Sequence, residues 1–322
     1  MILITGGAGM IGSMIAWQLN QIGRDDFVIV DRQMHADQWQ NLCHRHYIDY
    51  LDKDELWPWL KSGVKLNAVV HMGAISATTE CNWTNLLQDN IRYSQQLWSW
   101  CARRGVPFFY ASSAATYGNG DAGYSDTIIE GLRPLNAYGY SKQFFDQWAL
   151  GQAKAGNIPP LWAGFKFFNV YGPNEYHKGR MASMVFHSYN QLRNTGSIRL
   201  FRSNRVGIAD GFQCRDFIYV KDVAAVVCWF LEGERPSGIY NLGTGQARPF
   251  KDVATAVIDS AGRESHITWI DMPADLLGKY QYFTQADITK LRMAGYNQPF
   301  HTLEEGVCDY LQNYLMQADA YC

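Results

Sequence analysis

The chain has 322 residues, 47% of them hydrophobic and 18% charged, and its formal net charge is −2. This length and composition predict a folded protein with a large core rather than a disordered chain. Because no run of lysine or arginine exceeds two residues, we expect no surface for nucleic acid or an anionic membrane.

Seven cysteines are scattered along the chain, without C-x-x-C or paired cysteine and histidine spacing. We therefore expect free thiols in a reducing compartment and no metal site. Met1 leads directly into an apolar run and a glycine loop, and no apolar stretch reaches about 18 residues. A cytoplasmic protein without a signal peptide or a membrane span is expected.

The first half of the chain alternates short apolar runs with longer amphipathic segments. The apolar runs lie at residues 2–5, 27–31, 68–71, 108–112 and 162–169, and helical spacing occupies segments such as 11–22 and 86–103. This alternation is typical of βαβ units, whose parallel strands are buried on both faces. We therefore predict an α/β fold with a doubly wound parallel sheet.

The alternation weakens after Asn169. The pattern there predicts a turn at 170–173, a helix at 181–193, a strand at 198–201, a loop at 204–213 and a helix at 222–231. We assign residues 1–170 to a dinucleotide-binding domain, to which residues 214–242 return. Residues 171–213 and 243–322 are assigned mainly to a smaller α+β substrate-binding domain.

A glycine motif follows the first apolar run. Gly7-Ala8-Gly9-Met10-Ile11-Gly12 fits G-x-G-x-x-G, and Gly6, Gly9 and Gly12 are also spaced three apart. Glycine allows a tight turn and a close approach of the backbone to a pyrophosphate, whose charge is stabilised at the N-terminus of the next helix. In this context the motif predicts a Rossmann-like fold that binds a dinucleotide.

Asp31 ends the second apolar run, nineteen residues after Gly12. Its carboxylate can accept hydrogen bonds from the hydroxyls of an adenosine ribose. Asp31 would repel a 2′-phosphate, whereas the adjacent Arg32 can pair with one. The residue types therefore leave NAD and NADP open at this point.

Tyr138 and Lys142 form a Tyr-x-x-x-Lys pair one helical turn apart. An ammonium beside a phenol favours the phenolate, so we expect Lys142 to lower the pKa of Tyr138 and make it a usable proton carrier. Ser112 and Ser113 end an apolar strand, at the edge where open α/β sheets bind ligands. This combination predicts the interconversion of an alcohol and a carbonyl.

Together these features resemble a known superfamily. Gly6-x-x-Gly9-x-x-Gly12, Ser113 and Tyr138-x-x-x-Lys142 are similar to the extended short-chain dehydrogenase/reductases that modify nucleotide sugars. Within that superfamily, the chain resembles the ADP-L-glycero-D-manno-heptose 6-epimerases at residues 111–118, 167–173, 177–179 with 181–183, and 283–287. The similarity extends from Met1 to about Leu315.

The resemblance implies an isomerase that inverts C6″ of ADP-D-glycero-D-manno-heptose for the inner core of lipopolysaccharide. A 6″-keto intermediate would form and be reduced again with tightly bound NADP, or with NAD as the alternative. The resemblance also implies a homo-oligomer, since pentamers occur in the family. Another nucleotide-sugar epimerase or dehydratase, such as a UDP-sugar 4-epimerase, is the main alternative. A non-catalytic dinucleotide sensor would lack Tyr138, Lys142 or Ser113, and all three are present.

Residue roles are carried over from the same resemblance. Ser113 is expected to hydrogen-bond the reacting oxygen, Tyr138 to carry its proton, and Lys142 to hold the nicotinamide ribose. Lys178, in a His-Lys-Gly motif, is expected to act as the second base. The expected cofactor residues are Gly6, Gly9, Met10, Ile11, Gly12, Asp31, Arg32, Gln38, Lys53, Met72, Gly73, Ala74, Ile75, Ser76, Asn90, Lys142, Val170 and Lys178. The expected substrate residues are Ser113, Asn169, Arg180, His187, Phe201, Arg202, Ser203, Asn204, Arg215 and Tyr280.

Three features depart from the family pattern. Gln38 stands where a lysine near the 2′-phosphate is expected, Arg180 replaces a serine expected at the substrate, and residues 205–213 are longer than usual. Arg32 can supply the positive charge lost at Gln38. The departures affect the cofactor preference and the fit around the heptose.

Overall fold

The computed structural model describes residues 1–32, 37–273 and 280–322. Its strands, in chain order, are β1 (Ile2–Thr5), β2 (Phe27–Asp31), β3 (Asp49–Asp52), β4 (Ala68–His71), β5 (Phe108–Ser113), β6 (Trp162–Phe167), β7 (Asn169–Tyr171), β8 (Ser197–Phe201), β9 (Cys214–Tyr219), β10 (Gly238–Leu242), β11 (Ala247–Pro249) and β12 (His266–Ile270). Its α-helices are α1 (Met10–Gln21), α2 (Leu56–Lys61), α3 (Trp83–Leu86), α4 (Tyr93–Arg104), α5 (Ala137–Lys154), α6 (Met184–Thr195), α7 (Val220–Leu231), α8 (Phe250–Ala261), α9 (Thr289–Met293) and α10 (Leu303–Tyr310).

Seven of these strands form one parallel sheet in the order β10-β6-β5-β4-β1-β2-β3. Ile2 and Ile4 of β1 belong to the core on one face of this sheet, and Leu3 belongs to the core on the other. The strand order reverses at β1, which lies between β2 and β4. Ligands of such sheets bind at this reversal, beyond the carboxyl ends of the strands. The predicted Rossmann-like α/β fold is confirmed.

Elements from the second half of the chain return to this sheet. Helix α7 packs on α1, and β10 pairs in parallel with β6 at the sheet edge. Strand β9 instead lies between β7 and β11 in a separate three-stranded sheet, and β8 pairs with β12. The assignment of residues to two domains stays a prediction.

A long helical segment runs from Trp83 to Arg104. It consists of α3, a π-helical turn at Leu87–Arg92, and α4, whose C-cap residue is Gly105 with a φ of 65°. Single π-helical turns are frequent near functional sites. Asn90 lies buried in this turn.

The turn expected at 170–173 is wrong in its first half. Val170 and Tyr171 belong to β7 and pair with Ile218 and Tyr219 of β9. The chain turns only at Gly172, whose φ is 139°. In the described part of the chain, no helix has both the length and the apolar character to cross a membrane.

Candidate active site

The glycine loop between β1 and α1 packs closely against neighbouring backbone, which leaves no room for side chains at two of its glycines. Gly6 has a φ of 65°, and a Cβ added there would lie 2.4 Å from the backbone nitrogen of Gly73. A Cβ on Gly12 would lie 2.2 Å from the carbonyl oxygen of Gly6. The N-cap residue of α1 is Gly9, which adds no side chain over the first turn. The free N–H groups of that turn suit a pyrophosphate.

A small cavity of about 60 Å³ lies beside this loop. Asp31 Oδ2 accepts a hydrogen bond of 3.0 Å from the Ala8 N–H, and its Oδ1 accepts one of 2.9 Å from the Arg32 N–H. Burial raises the pKa of Asp31. Lys53 Nζ lies 2.9 Å from Asp89 Oδ1 at the same cavity. Seven predicted cofactor residues line it: Gly6, Asp31, Arg32, Lys53, Gly73, Ala74 and Ile75.

Asn90 holds one wall of the small cavity from behind. Its Oδ1 accepts a hydrogen bond of 2.8 Å from the Ile75 N–H, and its Nδ2 donates to the Ile75 carbonyl at 3.1 Å. The same Nδ2 donates to Ser141 Oγ of α5 at 2.9 Å. Asn90 is only 1% exposed, so in this structure it lies in the core and holds the backbone of Ile75, one of the predicted cofactor residues.

A larger cavity of about 510 Å³ lies beyond the carboxyl ends of β5 and β6. Its volume is in the range of small-molecule sites. The four predicted catalytic residues line it: Ser113, Tyr138, Lys142 and Lys178. Predicted cofactor and substrate residues share the lining: Ile11, Met72, Ala74, Ser76, Asn169, Val170, Arg180, Arg215 and Tyr280. The fold therefore brings the three predicted groups together in one space.

Tyr138 enters the cavity from the first turn of α5. This turn is capped by Asn136, whose Oδ1 accepts a hydrogen bond of 2.8 Å from the Gly139 N–H. Burial raises the pKa of Tyr138, and a hydrogen bond with Ser113 partly opposes that rise. Ser113 Oγ also accepts a hydrogen bond of 3.1 Å from the Ala115 N–H. The phenol and the serine hydroxyl are thus adjacent.

Lys142 lies one turn further along α5. Its Nζ donates a hydrogen bond of 2.9 Å to the Ala111 carbonyl of β5, and burial lowers its pKa to about 8. The expected lowering of the Tyr138 pKa is not found in this structure, because the desolvation of the phenol outweighs favourable interactions.

A buried ion pair lies behind Ser113. Lys166 Nζ lies 2.7 Å from Asp146 Oδ2, and both side chains are 0% exposed. Lys166 also donates at 2.7 Å to Thr116 Oγ1, which donates at 2.8 Å to the Ser113 carbonyl. The Asp146 charge raises the pKa of Lys142 against the effect of burial. Neither Asp146 nor Lys166 was singled out from the sequence, although Asp146 follows Lys142 by one helical turn.

Lys178 reaches the large cavity from the 3-10 helix at Tyr176–Met181, after β7. Its Nζ lies 3.9 Å from Met10 Sδ at the start of α1. The neighbouring Glu175 is fully buried, and its carboxylate accepts hydrogen bonds from the Ser183 N–H and Oγ at 2.5 and 2.7 Å. Burial raises the pKa of Glu175, while the positive charge of Lys178 opposes the rise.

Arg215 is held between two aromatic rings in the cavity wall. Its guanidinium lies 5.0 Å from the ring centroid of Tyr280 and 5.6 Å from that of Phe250. Burial lowers the pKa of Arg215, but an arginine in a protein stays charged. A fixed, planar cation of this kind suits a diphosphate. Phe250 was not predicted, because only the folded chain brings α8 to Arg215.

Several predicted residues lie outside the lining of both cavities. His187 is half-exposed on α6, with Nε2 3.4 Å from the Arg180 carbonyl. Arg202 Nη1 and the Ser203 N–H contact the Asp210 carboxylate at 3.3 and 2.8 Å. Gln38 is buried in a 3-10 helix, the Phe201 ring lies edge-on 6.5 Å from Tyr280, and Asn204 lies in the following loop. Four predicted cofactor residues are also outside both linings: Gly9, Met10, Gly12 and Asn90.

Comparisons with known proteins identify the family of this chain. The sequence pattern of the NAD dependent epimerase/dehydratase family matches residues 2–243. The chain is 50% identical over 334 residues to the ADP-L-glycero-D-manno-heptose-6-epimerase of Fusobacterium nucleatum, with 100% of both chains covered. It is 48% identical over 326 residues to the enzyme of the same name from Nitratidesulfovibrio vulgaris, again with 100% of both covered.

A solved structure is also similar over nearly the whole chain. The crystal structure of Helicobacter pylori ADP-L-glycero-D-manno-heptose-6-epimerase matches with a TM-score of 0.82 and 27% identity, covering 97% of this chain and 95% of that one. The UDP-sugar 4-epimerase alternative is not favoured. The chain therefore belongs to the NAD dependent epimerase/dehydratase family and, within it, to the ADP-L-glycero-D-manno-heptose 6-epimerases.

Proposed function

We propose that the protein inverts C6″ of ADP-D-glycero-D-manno-heptose with two proton carriers, Tyr138 and Lys178. The observation that carries this proposal is that both side chains line one cavity although they come from α5 and from the 3-10 helix at Tyr176–Met181. One group accepts the proton of the C6″ hydroxyl in one epimer. The other delivers a proton to the 6″-carbonyl oxygen after the ketone has turned, which yields the opposite epimer.

The remaining lining residues hold and orient the reactants. Ser113 hydrogen-bonds the reacting oxygen, and Arg215 pairs with the diphosphate. The glycine loop, Asp31 and Lys142 would hold the nicotinamide dinucleotide, as expected from the N-terminus of α1, which has no side-chain cap, and from the ribose-binding chemistry of a carboxylate. When bound, the nicotinamide supplies a hydride acceptor that returns the hydride to the same carbon.

The direct test is the product. NMR of ADP-D-glycero-D-manno-heptose incubated with the protein should show the L-glycero epimer, whereas an unchanged spectrum would contradict the proposal. UDP-glucose and UDP-galactose should not be turned over. In heavy water the epimerised C6″ should acquire no deuterium, because its hydrogen leaves and returns as a hydride. Deuterium at that carbon would instead indicate enolisation.

The two-base scheme is tested by the double variant Tyr138→Phe with Lys178→Met. Each substitution removes a proton carrier and leaves the glycine loop intact, so turnover should be abolished while the dinucleotide stays bound. Substantial epimerisation by the double variant would show that other groups carry the protons.

NADP is the proposed cofactor. Arg32 lines the small cavity next to Asp31 and is exposed, so its guanidinium can turn towards a 2′-phosphate. Titration of the protein with NADP and NAD side by side should show tighter binding of NADP, and Arg32→Gln should reduce that preference. A clear preference of the unmodified protein for NAD would refute this proposal.

A homo-oligomer is also proposed, pentamers being known in the family. Its support is an exposed aromatic cluster on α3 and α5: Trp83, Tyr140 and Phe144 are 39%, 49% and 39% exposed, and large apolar surface of this kind often marks contact sites. Light scattering should give a multiple of the 36.6 kDa chain mass. A monomeric mass at micromolar concentration would contradict it.

We place the reaction in the cytoplasm. Cys43 and Cys81 are free thiols on the surface, and exposed thiols persist in a reducing compartment. Fractionation of cells that express the protein should find it with cytoplasmic markers.

A further inference from the structure

Residues 319–322, which we call the C-terminal strap, lie against the segment that carries Lys178. The Tyr176 hydroxyl donates a hydrogen bond of 2.5 Å to the Ala320 carbonyl. The rings of Tyr176 and Tyr321 pack edge to face, with centroids 5.0 Å apart. Because Tyr176 and Lys178 share one 3-10 helix, the strap holds the backbone from which Lys178 extends.

Asn174 joins the strap to the helix that follows the glycine loop. It is 0% exposed and has a φ of 68°, a conformation that is uncommon for a residue other than glycine. Its Oδ1 accepts a hydrogen bond of 3.2 Å from the Cys322 N–H, and its Nδ2 donates one of 2.9 Å to Ser13 Oγ of α1. Such a conformation persists only where the surroundings hold it.

The other side of the strap contacts the chain that follows β2. His44 Nε2 lies 2.8 Å from Asp319 Oδ2. Arg45, which is 9% exposed, hydrogen-bonds to the backbone oxygen of Cys322. The strap is therefore anchored between the chain after β2 and the segment at 174–178.

We infer that the C-terminal strap is a positioning element for Lys178, an inference that rests on the two-base function proposed above. The Lys178 ammonium lies 3.9 Å from the Met10 thioether, a weak acceptor, so its place in the cavity depends on its backbone. None of the four strap residues is part of the cavity lining. The strap therefore acts on proton transfer by holding the segment of Lys178 and not by touching the reactants.

Three substitutions test this role. Tyr321→Ala removes the ring contact, and Tyr321→Phe keeps it. Gln317→Ala is the matched control, because Gln317 donates its hydrogen bond to the Gln312 carbonyl, outside the strap. A small displacement of a catalytic group is costly, so Tyr321→Ala should lower turnover on the order of tenfold. KM and the dissociation constant of the dinucleotide should stay near the values of the unmodified protein.

Amide hydrogen exchange gives a readout that does not depend on turnover. Exchange at residues 174–178 should be faster in Tyr321→Ala, because the strap no longer holds that backbone. Tyr321→Phe and Gln317→Ala should exchange and turn over like the unmodified protein. Unchanged exchange at 174–178 in Tyr321→Ala would overturn the role of the strap.

A further measurement separates positioning from general loosening. Stopped-flow absorbance of the reduced nicotinamide follows the oxidation of each substrate epimer separately, and loss of one proton carrier should slow only one of them. Tyr321→Ala should slow the same epimer as Lys178→Met. Equal slowing of both epimers in Tyr321→Ala would overturn the inference. If Lys178→Met itself oxidises both epimers normally, the two-base function is wrong instead.

Discussion

At the scale of single residues, the surroundings of Tyr138 decide how its phenol can work. Burial raises its pKa, so the phenol keeps its proton at neutral pH in the protein alone. The charge that favours the phenolate must therefore come from the groups assembled around it during the reaction. A tyrosine in this setting is a proton carrier whose activity depends on a filled site.

Tyr138→Phe tests that role with a close control. Loss of a positioned proton carrier lowers rates by about 10²–10⁴-fold, and we expect initial rates of epimerisation to fall by that amount. Tyr140→Phe alters the same residue type on the same helix, at a side chain that is 49% exposed, and should keep full activity. Equal losses in the two variants would point to damage of α5 rather than to proton transfer.

Gly12→Ala tests the packing of the glycine loop. The added Cβ would lie 2.2 Å from the Gly6 carbonyl oxygen, so the loop must shift where the pyrophosphate is held. We expect dinucleotide binding to weaken by more than about tenfold, which corresponds to about 1.4 kcal/mol, in a fluorescence titration. Gly151→Ala is the control: apart from the backbone of its own helix, no atom of the described residues lies within 4 Å of a Cβ added there. It should leave binding unchanged and stabilise α5 by about 0.5–1 kcal/mol.

Residues that form a local motif could be predicted from the sequence. Tyr138 and Lys142 are one helical turn apart, and Ser113 ends a strand, so spacing alone indicated their chemistry. Phe250 could not be found in this way, because its contact with Arg215 is created by the packing of α8. Lys178 came from the resemblance to a family, since a lysine in a loop carries no distinctive pattern.

At the scale of elements, the buried ion pair connects three neighbours. Asp146 belongs to α5 and Lys166 to β6, and Asp146 also accepts hydrogen bonds from Tyr110 and Ser112 of β5 at 3.0 and 2.7 Å. Removing one partner of a buried pair leaves an uncompensated charge, which costs more than the net contribution of the intact pair. The junction of helix and sheet behind the active site therefore depends on both partners.

Lys166→Met should consequently lower the free energy of unfolding by about 3–5 kcal/mol, measured by urea denaturation. Lys154→Met is its surface counterpart on α5: Lys154 lies 3.5 Å from Glu130, and its side chain is 78% exposed. Exposed pairs contribute about 0–1 kcal/mol, so this control should unfold almost as the unmodified protein does. Similar losses in the two variants would mean that the burial of the pair has no special effect.

The strands differ in how well the sequence pattern predicts them. β1 and β4 are runs of four buried residues, and such runs were predicted as strands. β3 was not predicted, because it lies at the sheet edge and none of its residues is buried. The sequence predicts a turn over Val170 and Tyr171 of β7, since Gly172-Pro173 follows them closely and the pairing partner, β9, is distant along the chain.

At the scale of the whole molecule, distant parts of the chain meet around the site. The strap contacts Tyr176 and Asn174, while α7 packs on α1. The sequence could predict the fold class and the family, because both depend on repeated patterns and on motifs. It could not predict these contacts, which follow from the three-dimensional path of the chain.

His71 is a buried histidine that links the stability of the whole protein to pH. Its Nδ1 lies 2.5 Å from Thr5 Oγ1 of β1, and its Nε2 lies 2.8 Å from Ser94 Oγ of α4. Ser94 donates its own proton to the Asn90 carbonyl, so it accepts from His71 Nε2, and Thr5 donates to Nδ1. This arrangement requires a neutral imidazole. Burial lowers the pKa of His71 from 6.5 to about 3.

The pH dependence of stability follows from that shift. Below pH 6.5 His71 is protonated in the unfolded chain, whereas in the folded protein it stays neutral down to about pH 3. The stability that is fully present above pH 6.5 is therefore lost as the pH falls from 6.5 to about 3. As the pH is lowered, the unfolding free energy of the unmodified protein should fall more steeply than that of His71→Gln. The two slopes should differ by up to about 1.4 kcal/mol per pH unit. Urea denaturation at a series of pH values measures both slopes, and their difference removes the contribution of the carboxylates.

His46→Gln, which replaces an exposed histidine, should keep the slope of the unmodified protein. Parallel curves for the unmodified protein and His71→Gln would show that folding does not exclude the proton from this site.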